Sequence, residues 1–227
     1  MNNFPKFTTI LIIIISLVII FSCAYFKSLK EGLTNNNTVI LMGDSVLNNS
    51  NYVSAGNSVY DNLKKKLDKV INVAKDSATI NDLYEQLDKI PVDLNNSNTY
   101  IFISAGGNDI LNNSNLGLNK HTELNNNEIR RLFDTYMIFL KALRTKLGSS
   151  KINIINLYLP ANPRFQSYKT SIEQWNTLIN QHSNKIGEIY NIVDFHSLLI
   201  SLEDFVYDIE PSESASNKIA NLISLTI

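Results

Sequence analysis

The chain has 227 residues, enough for one α/β domain with a sizeable core even after an N-terminal apolar segment is set aside. Its formal charge of -1, with no basic cluster, gives no electrostatic footprint for DNA or RNA, so nucleic acid is excluded as a partner. The lone cysteine, Cys23, excludes an intrachain disulfide.

The first element in chain order is the uncharged run Phe7 to Phe26, FTTILIIIISLVIIFSCAYF. Roughly 20 such residues cross a hydrocarbon core as a helix, and a run apolar on every side does not suit a core helix with one wet face. Residues 1–27 are therefore expected to be a single-pass membrane anchor. Two alternatives stay open: a cleaved signal peptide, and a lipoprotein signal ending at Cys23, since Ile20-Phe21-Ser22-Cys23 approaches a bacterial lipobox. Lys6 on one flank and Lys27 and Lys30 on the other nearly balance, so orientation is weakly set, with the extracytoplasmic side preferred. Residues 28–37 read as a polar linker, and residues 38–227 as the folded domain.

Within that domain short β-rich runs alternate with longer amphipathic ones. Thr38 to Met42, Val70 to Ala74, Tyr100 to Ser104, Ile152 to Leu159 and Asn191 to Asp194 are expected to be strands buried on both faces of a parallel sheet. Helical spacing covers Ser58 to Leu67, Ile80 to Leu87, Asn127 to Leu147, Ser171 to Tyr190 and Ser214 to Leu225. Such alternation predicts a flavodoxin-like, doubly wound three-layer α/β fold with a five-stranded parallel sheet, whose ligands bind beyond the carboxyl ends of the strands.

The segments that follow the first three strands are Gly43-Asp44-Ser45-Val46, Lys75-Asp76-Ser77-Ala78-Thr79 and Ala105-Gly106-Gly107-Asn108-Asp109. All three should meet at one edge of the sheet. Their glycines allow close approach of backbone to ligand, and Ser, Asn and free amides suit acyl transfer.

Gly43-Asp44-Ser45 followed in order by Gly106-Gly107-Asn108-Asp109 resembles the first and third blocks of the SGNH (GDSL-like) hydrolase superfamily, over Thr38 to Leu225. That resemblance implies a serine esterase or acylhydrolase with Ser45 as nucleophile. It also implies an oxyanion hole made by the N–H groups of Ser45 and Ser77 and the side chain of Asn108, with Gly43, Asp44, Gly106, Gly107 and Asp109 as supporting loop residues. Position 77 is usually glycine in the superfamily, so Ser77 can donate only if its φ/ψ is open to a residue with a Cβ.

The final block departs from the superfamily's Asp-x-x-His. Here Tyr207-Asp208-Ile209-Glu210-Pro211-Ser212 puts a glutamate at the histidine position, as in a subset of GDSL-like proteins with an Ile-Glu-Pro-Ser ending. Glu210 is the expected base, with Asp208 as a like-charged neighbour that would raise its pKa, and His196 is an alternative source of imidazole. Two functions follow: an ester hydrolase working through an acyl-Ser45 intermediate, or a binding module that kept the pocket and lost turnover with the histidine. Small-molecule, lipid and glycan esters all remain open as substrates. Neither a metal cluster nor a phosphate or dinucleotide fingerprint occurs in the sequence, so no cofactor is expected.

Overall fold

In the computed structural model, which describes residues 36–114, 124–183 and 189–227, the five apolar runs pair into one parallel sheet. Its strands are β1 (Thr38–Met42), β2 (Lys69–Asn72), β3 (Thr99–Ile103), β4 (Lys151–Ile155) and β5 (Ile189–Val193), in the spatial order β2-β1-β3-β4-β5. The helices are α1 (Val59–Lys64), α2 (Leu83–Asp88), α3 (Gly107–Ser114), α4 (Asn126–Lys146), α5 (Lys169–Ser183) and α6 (Glu213–Thr226). Because the chain passes from β1 out to β2 and then returns beyond β1 to β3, the loops leaving β1 and β3 diverge. A crevice opens there, at the topological switch point.

Side chains alternate between the two faces of each strand, and each set has its own helical partners. Ile40, Met42, Ile101, Ile103, Ile152 and Ile154 pack with residues of α2, α4 and α5. Val39, Leu41, Tyr100 and Phe102 pack with residues of α1 and α6. This is the expected three-layer arrangement, and it explains why β1 and β3 are buried along their whole length. The helices start where side-chain acceptors stand ready for orphan N–H groups. Ser58 with Asp61 caps α1, Asn125 with Glu128 caps α4, and Ser212 accepts from the Ala215 N–H of α6.

Two expectations need correction, and one element was not foreseen. The strand expected over Ile152 to Leu159 stops at Ile155, because the N–H and carbonyl of Leu157 bond the Asn176 side chain (2.8 and 2.7 Å) instead of a neighbouring strand. β2 is an edge strand with only partial burial, not a strand covered on both faces. Finally, a short antiparallel hairpin of β6 (Phe205–Val206) and β7 (Glu210–Pro211) follows the main sheet, a pairing too brief to leave a hydrophobic period.

Among the described residues no helix is long and apolar enough to cross a membrane. The expected anchor at residues 1–27, Cys23 included, lies outside the described residues, as does most of the linker.

Candidate active site

The turn after β1 is built around a position only glycine can fill. Gly43 has φ +129°, and a Cβ there would lie 2.0 Å from the Ser104 carbonyl oxygen. Its peptide groups are gripped by the buried Gln86 side chain, whose Oε1 accepts from the Gly43 N–H (2.7 Å) and whose Nε2 donates to the Gly43 carbonyl (2.8 Å). Asp44 then turns inward. Its buried carboxyl accepts from the Val46 N–H (3.1 Å) and from the Ser104 hydroxyl, while its carbonyl accepts from the N–H groups of Leu47 and Asn48. Ser45 is thereby fixed at the crevice, 6% exposed.

The loops after β2 and β3 are locked to each other. The Asn108 side-chain amide donates to the Ala78 carbonyl (3.0 Å), and the Asp109 carboxyl accepts from the Ile80 N–H (3.1 Å). Gly106, at φ +99°, sits where a Cβ would strike the Trp175 ring at 2.3 Å, so Trp175 fixes the start of α3. Ser77 has φ +60°, the left-handed region where a glycine would be relaxed and a residue with a Cβ is strained by roughly 1–2 kcal/mol. Its hydroxyl donates to the Asp76 carboxylate (3.2 Å), a local bond that helps hold this conformation.

Glu210 arrives on the hairpin. Tyr207 (φ +47°) and Asp208 (φ +71°) occupy the two left-handed positions of a tight turn between β6 and β7, a shape usually supplied by Asn-Gly. Three further contacts aim the strand. The Tyr158 hydroxyl donates to the Ile209 carbonyl (2.8 Å), and the Asn49 amide donates to the Pro211 carbonyl (3.0 Å) and to the Ser216 hydroxyl (2.6 Å). Asn49 Oδ1 accepts from the Val59 N–H (3.0 Å), so one fully buried side chain joins the nucleophile loop, α1, β7 and α6.

This brings Glu210 into the same cavity as Ser45, and Glu210 Oε2 is buried with no hydrogen-bond partner among the described residues. Burial pushes the Glu210 carboxyl above the usual range, the Ser45 hydrogen bond pulls it down, and the negative charge of Asp76 pushes it up again. Burial also raises Asp44, to about 7, against the opposing hydrogen bonds from Ser104 and Val46, and the charge of Glu210 adds to the rise. Both carboxyls are thus pushed upward, and the Glu210 charge disfavours the ionised form of Asp44.

Ser45, Asp44, Gly107, Asn108 and Glu210 line one cavity. Three expected participants do not. Ser77 is exposed and outside the lining, although its N–H has no partner among the described residues. Asp208, expected to flank Glu210, instead pairs with Arg164 (2.9 Å) and accepts from the Asn162 amide (2.7 Å), because the left-handed turn points it away. The nearby charge is that of Asp76, whose carboxylate accepts from the Tyr52 hydroxyl (2.7 Å). His196 bonds the Leu157 carbonyl through Nδ1 (3.1 Å) and lines a separate hollow. Asp76, Tyr52 and Tyr158 are the residues that sequence reading missed. Only Asp76 carried a signal, its place just before Ser77 in the second block.

The description GDSL-like Lipase/Acylhydrolase matches residues 39–223. No curated protein matches significantly. Among solved structures, a member of the lipolytic protein G-D-S-L family from Veillonella parvula shares 15% identity, with 82% of this chain and 94% of that one covered at a TM-score of 0.62. The psychrotrophic esterase EstA from a Pseudoalteromonas species, in a structure inhibited by monoethylphosphonate, shares 16% over 84% of this chain and 96% of its own, with a TM-score of 0.58. A GDSL-like lipase from Bacteroides thetaiotaomicron shares 14% over 83% and 86%, with a TM-score of 0.59. At such identities these neighbours testify to the fold, and it is the match over nearly the whole domain that assigns the family: this chain belongs to the GDSL-like lipase/acylhydrolases, a family of ester-hydrolysing enzymes.

Proposed function

We propose that the protein cleaves a small-molecule ester through an acyl-Ser45 intermediate, with Glu210 as general base. The observation that carries this reading is that Ser45 and Glu210 line one cavity, with the Ser45 hydroxyl among the groups that act on the Glu210 carboxyl. Glu210 takes the hydroxyl proton as Ser45 Oγ bonds to the ester carbonyl carbon, and it returns that proton to the departing alkoxide, which leaves as the alcohol. Water then attacks the acyl-serine, again giving its proton to Glu210. The acid departs and Ser45 is restored.

Negative charge on the carbonyl oxygen is stabilised by donors fixed in advance, the N–H of Ser45 and the Asn108 amide, each typically contributing about 3–4 kcal/mol in such sites. The Ala78 carbonyl occupies one amide hydrogen of Asn108 and leaves the other for substrate. An ordinary glutamate is about two units less basic than imidazole. Burial and the neighbouring Asp76 charge recover part of that difference.

A fluorophosphonate that phosphorylates nucleophilic serines tests the reading. Labelling of the folded chain that disappears in Ser45→Ala is the expected result. A folded wild-type chain that takes no label would instead favour a binding module in which Glu210 no longer activates the serine.

A further inference from the structure

The cavity beside Ser45 is more apolar than cleavage alone requires. Beyond the polar groups already described, its wall includes Ile110, Leu111, Leu157, Phe165, Ile172 and Ile209, and no lysine or arginine is among the described residues that line it. A sugar ring would need several hydrogen-bond partners here, and the polar lining offers few beyond Glu210 Oε2 and the one Asn108 amide hydrogen that the oxyanion takes. Asp44 is engaged with Val46 and Ser104, Glu210 with Ser45, and Asn108 with Ala78. An acetyl group would leave most of the apolar wall uncovered.

We propose that this cavity is an acyl-chain site for a linear, uncharged acyl group of medium length, with Ile172 and Pro160 setting the length limit. The inference rests on the Ser45 ester-cleavage reading given above. Pro160 and Ile172 line both this cavity and the hollow that contains His196, Lys169 and Glu173, so they are the partition between an apolar compartment and a polar one. A chain that fills the first meets that partition and stops. Each methylene buried on the way contributes about fourfold to transition-state binding when fully covered.

The full chain is assayed on p-nitrophenyl acetate, butanoate, octanoate and palmitate, alongside fluorophosphonate labelling of Ser45. The expected result is a kcat/KM that rises at least about tenfold from acetate to octanoate and falls again for palmitate. Ile172→Trp should move the optimum to butanoate, and Ile172→Ala, the milder change should the tryptophan not fold, should move it beyond octanoate. Acetate being preferred, or a flat series, with Ser45 labelling intact overturns the acyl-chain site and leaves the nucleophile standing. Absence of Ser45-dependent labelling in the folded chain overturns both.

Discussion

The nucleophile turn and the base hairpin solve the same problem, placing one side chain at the crevice, by opposite means. The turn after β1 uses a glycine where no other residue fits, a buried glutamine on its peptide groups and an inward carboxyl. It is an extension of the central sheet. The hairpin has two-residue strands, a tyrosine and an aspartate in left-handed positions, and an exposed tip at Tyr207. It holds its place through side chains borrowed from elsewhere, Tyr158 and Asn49 above all. Half of a catalytic pair can therefore be set by fold geometry while the other half is set by local side-chain bonds.

The strongest way to break this pairing is Glu210→Gln, which keeps shape and removes basicity. Turnover should fall about 10³-fold with unchanged thermal stability, within the usual range for losing a general base. Glu210 must be ionised to accept a proton, so wild-type activity should rise with pH through a midpoint above the ordinary glutamate value, and the variant should lose that limb. A pH–rate profile unchanged in the variant would remove the base from the hairpin.

Asp44→Asn sharpens the other side of the comparison. A carboxyl whose folded-state pKa lies above its unfolded value holds its proton more tightly when folded. Its contribution is therefore complete below about pH 4 and lost as pH rises toward 7. From an ordinary value of 3.8 to about 7 this amounts to as much as about 4 kcal/mol, and Asp109, raised to about 6 by burial, acts in the same direction. The asparagine carbonyl can accept the Val46 and Ser104 bonds that Asp44 Oδ1 accepts now. Urea unfolding across that pH range should show wild-type stability falling steeply and the variant falling less, by the share that Asp109 still contributes. An equal slope in both would mean that the inward carboxyl is not what makes the turn sensitive to pH.

The smallest effect belongs to Asp208→Gly. Relief at a left-handed position is offset by the loss of a half-exposed ion pair with Arg164, so stability should change by no more than about 1 kcal/mol. Activity should be retained. A loss beyond about tenfold would return Asp208 to the catalytic role that its sequence position suggested.

What could be read in advance follows the same division. Strands such as Thr38–Met42 announce themselves by continuous apolar runs, and Gly43, Ser45 and Asn108 by their places after such runs, because period and punctuation are local properties. Asp208 and Asp76 could not be ranked that way. Which carboxylate faces Glu210 depends on a turn with two positive φ angles at Tyr207 and Asp208, and neither residue type advertises that shape. The end of β4 was hidden for a similar reason, since the Asn176 side chain that replaces the ladder at Leu157 comes from a helix 19 residues on.

Asn49 has a consequence for how such a site can change over time. The base-bearing strand is secured through the Pro211 carbonyl, a backbone group present whatever residue stands at position 210. The mount and the chemical group it carries are therefore separable, and an imidazole or a carboxylate can be installed at position 210 without rebuilding the mount. A chain that lost a histidine here would keep a socket aimed at Ser45, ready for whichever base the next substitution supplied.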